Sequence, residues 1–211
     1  MKVLKKMLLF SFALMCMTAT ALADFDAGKL INVISREEGS GTRSAFVELT
    51  GVEQKIDGKK VDMTTEDAQI TNNTAVMLTT VAGDAYAIGY VSLGSMNESV
   101  KAVCVEGVEA TAENVASGSY KIARPFNIAY LNDAITELGN DFIAYIMSAE
   151  GQNIVAANGY VASDNAEAYV GSKPQGKLVI AGSSSVSPVM EKLAESYQAL
   201  NPDAQIEIQT S

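Results

Sequence analysis

The sequence predicts an α/β layer fold. Three observations carry that expectation. Apolar runs of strand length alternate with helical stripes, the connections are short, and residues 177–211 spell out strand, loop, helix and strand in turn. With 211 residues, 48% hydrophobic and only 19% charged, the chain can bury one ordinary core or two small ones and lacks a disordered composition.

Residues 1–23 read as a signal peptide outside that fold. Lys2, Lys5 and Lys6 precede an apolar run from Met7 to Met17, and Ala21-Leu22-Ala23 offers the small residues a signal peptidase reads. The run is shorter than the roughly 20 apolar residues a bilayer span needs. Cys16 lacks the lipobox residues before it, so the expectation is export to the periplasm or medium, without stable membrane insertion. Cleavage leaves Cys104 as the one cysteine, with no internal disulfide, and its apolar surroundings predict a buried thiol.

Leu30 to Ser35 is predicted as a strand and Thr42 to Leu49 as a helix, with Ala45, Phe46 and Leu49 on one face. Tyr86 to Ser92 and Val100 to Val105 are strand-like. Phe142, Ile143, Ile146 and Met147 mark an amphipathic helix, and Ser148 caps another that stops at Asn158-Gly159. Residues 171–176, with Gly and Pro punctuation, read as a linker. Beyond it, Lys177 to Ala181 is a strand and Gly182-Ser183-Ser184-Ser185 a turn. The next helix carries Val186, Val189, Met190, Leu193, Ala194, Tyr197 and Leu200 at helical spacing, and Gln205 to Gln209 begins another strand. Gly28-Lys29-Leu30 and Gly176-Lys177-Leu178 open the two strands that lead into Gly/Ser loops.

No histidine occurs, which excludes Ser-His-Asp and Cys-His nucleophile systems and histidine-rich zinc sites. A net charge of −10 is the wrong sign for nucleic-acid binding through the overall field. Gly39-x-Gly41 meets Ser44 where a dinucleotide fingerprint needs its third glycine. Asp62, Glu66 and Asp67 read as a solvated helix start, and Asp133 with Glu137 as one exposed helical face. The sequence makes no case for an enzyme, a cofactor or a metal.

The strongest local signal is Arg36-Glu37-Glu38-Gly39-Ser40-Gly41-Thr42-Arg43, between strand and helix. Free first-turn amides, the helix dipole, the Ser40 and Thr42 hydroxyls and a bidentate arginine (Arg36 or Arg43) are the parts of an oxyanion cradle. The plainer alternative is that Ser40 and Thr42 only cap the helix, and Glu37 and Glu38 weigh against an anion unless they point outward. The loop of Ser183, Ser184 and Ser185 repeats the logic without an arginine, and alone reads better as a capped turn. Two such loops together suggest a ligand held between two helix N-termini.

These residues resemble the phosphate-binding proteins of bacterial ABC importers, a branch of the type II periplasmic-binding-protein fold. Ile34 to Arg43 looks like that family's second-lobe phosphate motif. Ala87-Ile88-Gly89-Tyr90-Val91, the run from Gly118 to Pro125, and Ser148 to Val161 match later segments in order. Lys177 to Ile208 resembles the family's mature N-terminus. The resemblance implies an α/β, periplasmic-binding-protein-like type II fold in an incomplete two-lobe arrangement with permuted segment order. Residues 24–170 would be second-lobe-like and C-terminal segments, and 177–211 the start of a first-lobe-like unit. It implies phosphate bound by Arg36, Ser40, Gly41 and Thr42 from one lobe and by Ser184 and Ser185 from the other, with delivery to an importer permease. The family's further Gly/Ser loop, its proton-accepting aspartate and the first half of the second lobe have no match. A truncated tandem copy joined at Gly-Lys-Leu accounts for this. An exported adhesive or structural protein that kept the fold and lost the ligand is the alternative.

Overall fold

The computed structural model describes residues 25–210; the signal-peptide reading of residues 1–23, and that of Cys16, lies outside them. The chain divides after Leu30. Before that point, Asp26 holds the N–H groups of Gly28 and Lys29 in a turn.

From Ile31 onward the elements run β1 (Asn32–Arg36), α1 (Gly41–Leu49), β2 (Glu53–Ile56), β3 (Lys59–Asp62), β4 (Gln69–Thr71), α2 (Thr74–Ala82) and β5 (Ala87–Ile88). A 3-10 turn follows at Leu93–Ser95, then α3 (Ala112–Ala116), α4 (Glu137–Met147), α5 (Ala149–Ala157), β6 (Gly176–Gly182), α6 (Ser187–Leu200) and β7 (Ala204–Thr210). A three-stranded parallel sheet has the order β4-β1-β5, β6 pairs in parallel with β7, and β2 with β3 forms an antiparallel hairpin. No helix among the described residues is long and apolar enough to cross a membrane.

The core straddles residues 171–176. Leu138, Phe142, Tyr145 and Ile146 of α4 and Tyr160 meet Val189, Leu193, Ala194 and Tyr197 of α6 and Ala204 of β7. The predicted α6 stripe is therefore the buried face, and each fully buried large side chain on it contributes about 1.5–3 kcal/mol. Only its last member, Leu200, lies out in solvent. In α4 the buried stripe is Leu138, Phe142, Tyr145 and Ile146, while Met147 is exposed, so the expected face is rotated.

Several expectations shift. Tyr86 to Ser92 shrinks to a two-residue strand, because only Ala87 and Ile88 find partners on β1. Val100 to Val105 forms no strand beyond a bridge between Val105 and Val108, and Cys104 is exposed rather than buried. Asp62 ends a hairpin strand instead of starting a helix, and its carboxylate takes Arg43 at 2.8 Å. That hairpin turns at Asp57-Gly58, both with positive φ, a turn signal the periodicity reading passed over. Asp133 lies before the first residue of α4, Glu137, so the two do not share a helical face. The predicted caps hold at Ser40 and Ser148, whose side chains accept from Arg43 N and Gly151 N.

Candidate functional site

Three loops converge, each leaving the C-terminal end of a parallel strand and entering a helix: β1 to α1, β4 to α2, and β6 to α6. In open α/β sheets that end is where ligands bind, since the helix N-termini and loop amides gather there. Arg36 is the last residue of β1 and is 1% exposed. Its backbone N–H donates to the Tyr90 hydroxyl at 3.1 Å, and Tyr90 stacks on Phe46 with ring centroids 4.2 Å apart. The base of the arginine is thereby fixed.

The guanidinium has two differently occupied edges. Nε and Nη2 each donate to the Glu37 carboxylate at 2.8 Å, a side-on bidentate pair. The hydrogen bond from Arg36 holds the Glu37 carboxyl below its ordinary value. The other edge faces hydroxyls: Nη1 donates to Thr74 Oγ1 at 3.3 Å and Nη2 to Ser184 Oγ at 3.1 Å. Thr74 and Ser184 bond to each other at 3.1 Å, and beside them Thr42 Oγ1 bonds to Ser185 Oγ.

The loops are braced from behind. The Ser185 carbonyl accepts from the Tyr160 hydroxyl at 2.8 Å and from Ser92 at 3.3 Å. Arg124 donates to the Gly41 carbonyl at 2.6 Å. Arg43 is committed elsewhere, to Asp62 and to the Arg36 carbonyl at 2.8 Å, so Arg36 is the arginine that faces the converging hydroxyls.

The sequence-predicted residues thus come together. Arg36 meets Ser184, Thr42 meets Ser185, Gly41 opens α1, and Ser40 spends its hydroxyl on the helix cap while its residue stays buried. Glu37, expected to weigh against an anion unless it points outward, turns its carboxylate onto Arg36 rather than into the hydroxyl cluster. Sequence reading missed Thr74, Arg124 and Tyr160. For Thr74 a signal existed: Asn72-Asn73 before an apolar run is an N-cap pattern, and Asn73 does cap α2.

A hydrogen count defines the chemistry. Arg36 has five N–H donors; Glu37 takes two, and Thr74 and Ser184 one each, which leaves an Nη1 hydrogen. Each hydroxyl pair carries two hydrogens and uses one internally. No acceptor among the described residues takes the remainder. The cluster is donor-rich and acceptor-poor, and buried donors of that kind favour an oxyanion over a cation or a neutral apolar ligand.

A family model described as a PBP superfamily domain matches residues 17–150, more than half of the chain. The chain belongs to the PBP superfamily. A PBP relative from Streptococcus agalactiae, phosphate-binding protein PstS 2, is 55% identical over 182 residues, covering 86% of this chain and 62% of the relative. The chain therefore spans less than two thirds of that relative's length. The crystal structure of a phosphate ABC transporter phosphate-binding protein from Streptococcus pneumoniae matches with a TM-score of 0.70 and 46% identity, covering 87% of this chain and 71% of that one. An ABC-type phosphate transport receptor from Vibrio cholerae matches with a TM-score of 0.53 and 32% identity, over 64% of this chain and 54% of that one. These relatives are transport binding proteins, and the PBP-like α/β fold is common to them.

Proposed function

We propose that this protein captures inorganic phosphate outside the cytoplasm for delivery to an ABC importer permease. The observation that carries the reading is the donor surplus around buried Arg36, with hydroxyls supplied from both sides of residues 171–176. Arg36, Thr42, Ser184 and Ser185 donate from side chains, and Ser40 with Gly41 brings the first-turn amides of α1 to the anion. The overall acidity, net charge −10, does not oppose this. A dehydrated anion is held by local charge-assisted bonds rather than by the distant field.

Binding would draw the loops that follow β1 and β4 and the loop that follows β6 together over the anion, completing the donor set by a hinge motion. The export of the chain, its first-lobe-like and second-lobe-like segments in permuted order, and the permease as partner belong to this same reading. The names of the streptococcal relatives support phosphate as the ligand.

A thermal melt with phosphate, then with sulfate at matched ionic strength, tests it. A binder gains stability as RT ln(1 + [L]/Kd), so the melting point should climb with phosphate concentration. A cooperative melt that phosphate leaves unmoved would sink the proposal and favour a fold retained for another purpose. An equal rise with sulfate would make the ligand a tetrahedral oxyanion rather than phosphate in particular.

A further inference from the structure

We infer that Thr74 is a direct ligand of the bound anion, contributed by a third loop that neither the sequence motif nor the resemblance points to; the inference rests on the phosphate reading above. Thr74 is the first residue of α2 and is 7% exposed. Helix capping does not require its side chain, because Asn73 Oδ1 already accepts from Val76 N at 2.9 Å. The side chain is instead directed at the guanidinium. Its Oγ1 accepts from Arg36 Nη1 at 3.3 Å and shares a hydrogen with Ser184 Oγ at 3.1 Å.

That arrangement fixes which way the hydroxyl works. An oxygen accepting from a cationic N–H turns its own hydrogen away from the cation. Among the described residues the only acceptor for that hydrogen is Ser184 Oγ, which itself accepts from Arg36 Nη2. Two hydroxyls polarised by one guanidinium, with one hydrogen bond between them, leave a donor aimed away from Arg36. An anion oxygen there takes both hydroxyl hydrogens and replaces the Thr74–Ser184 bond. Thr74 is also the N-terminal residue of α2, so a third helix N-terminus brings its partial positive charge to this hydroxyl. Glu37 keeps the side-on edge of Arg36 and leaves the Thr74–Ser184 edge for the ligand.

The test is calorimetric titration of phosphate into the unaltered protein, Thr74→Val and Thr74→Ser, with a structure of the phosphate complex. Valine keeps the shape and deletes the donor, so affinity should fall about ten-fold or more, as for one lost bond to a charged group. The ligand-free melting point should stay close to that of the unaltered protein, and Thr74→Ser should recover most of the affinity. In the complex, Thr74 Oγ1 should sit at hydrogen-bonding distance from a phosphate oxygen. Undiminished affinity in Thr74→Val, or a complex in which Oγ1 bonds only to Arg36 and Ser184, overturns the inference and leaves phosphate capture standing. The complex decides the matter even where the valine variant does not fold. No titration signal from the unaltered protein overturns both.

Discussion

Two buried polar clusters, one around Arg36 and one around Asp141, both join residues from different parts of the chain and differ in their hydrogen balance. Asp141 on α4 accepts from the Tyr169 hydroxyl, from Tyr197 at 2.7 Å and from Ser172 N at 2.8 Å. Asn201 then ties Tyr197 to the Pro174 carbonyl, with bonds of 3.2 and 2.9 Å. Donors surround an acceptor, and the carboxylate is answered on all sides. Around Arg36 the centre is a donor, met on one edge by the Glu37 carboxylate and on the other by hydroxyls that accept from it and still carry hydrogens of their own. The first cluster is a clasp that pins residues 169–174 between α4 and α6; the second waits for an acceptor from outside. Burial alone does not separate a structural network from a binding site, but the count of donors against acceptors does.

The sharpest way to break this contrast is to remove the two centres. Arg36→Ala should lower phosphate affinity by about 2–5 kcal/mol, since the anion loses its charged partner in a buried setting. Calorimetry would show it, and an unchanged Kd would take Arg36 out of the site. Asp141→Ala should instead cost about 2–4 kcal/mol of folding stability, by stranding two tyrosine hydroxyls and a backbone N–H. Its folded fraction should bind phosphate as the unaltered protein does. A specific loss of affinity with normal stability would erase the distinction drawn here.

Smaller changes sharpen it. Gly94→Ala places a Cβ 2.2 Å from the Tyr160 ring. Tyr160 holds the Ser185 carbonyl, so both melting point and phosphate affinity should drop, by about 1–3 kcal/mol in stability as for other overpacked sites. A fully stable variant with normal binding would show the Tyr160 brace to be dispensable. Ser184→Ala should weaken phosphate by about 1.5 kcal/mol with little effect on the ligand-free melt; a large loss of stability would assign Ser184 to the framework instead.

Acid should separate the clusters least. Burial pushes the Asp141 carboxyl up, but hydrogen bonds from Tyr169, Tyr197 and backbone N–H groups outweigh it and hold the group below its ordinary 3.8. A carboxyl depressed in the folded state adds stability above its unfolded value and loses it as pH falls through the folded one. Melts between about pH 6 and pH 3, the range where carboxyls titrate, should show stability lost towards acid. Asp141→Asn should lose less over that range. A steeper acid loss in the asparagine variant would reverse the assignment.

Much of the site was legible because its parts are local. Arg36, Ser40, Gly41 and Thr42 sit within one strand-to-helix turn, and Ser184 and Ser185 within another, so short-range chemistry marked both. The α6 stripe was legible for a similar reason, since its one-sided burial writes a helical period into the sequence. The stretch from Val100 to Val105 was misread because apolar residues predict a strand only where a partner edge is available, and here the one pairing is a bridge to Val108. The hairpin at Asp57-Gly58 escaped because its strands are mostly charged and solvent-facing, leaving only the turn residues as a signal.

By itself, then, the sequence determined the α6 stripe, the strand-loop-helix units β1–α1 and β6–α6, and the two Ser-containing loops inside them. Only the tertiary structure decided which arginine faces the hydroxyls and that Thr74 joins them. Those outcomes depend on hydrogen-bond partners separated by up to 148 positions, as between Arg36 and Ser184. Local propensity fixes how a turn is shaped, but the pairing of a donor with its acceptor is set where chain segments pack, and no short window of residues contains both.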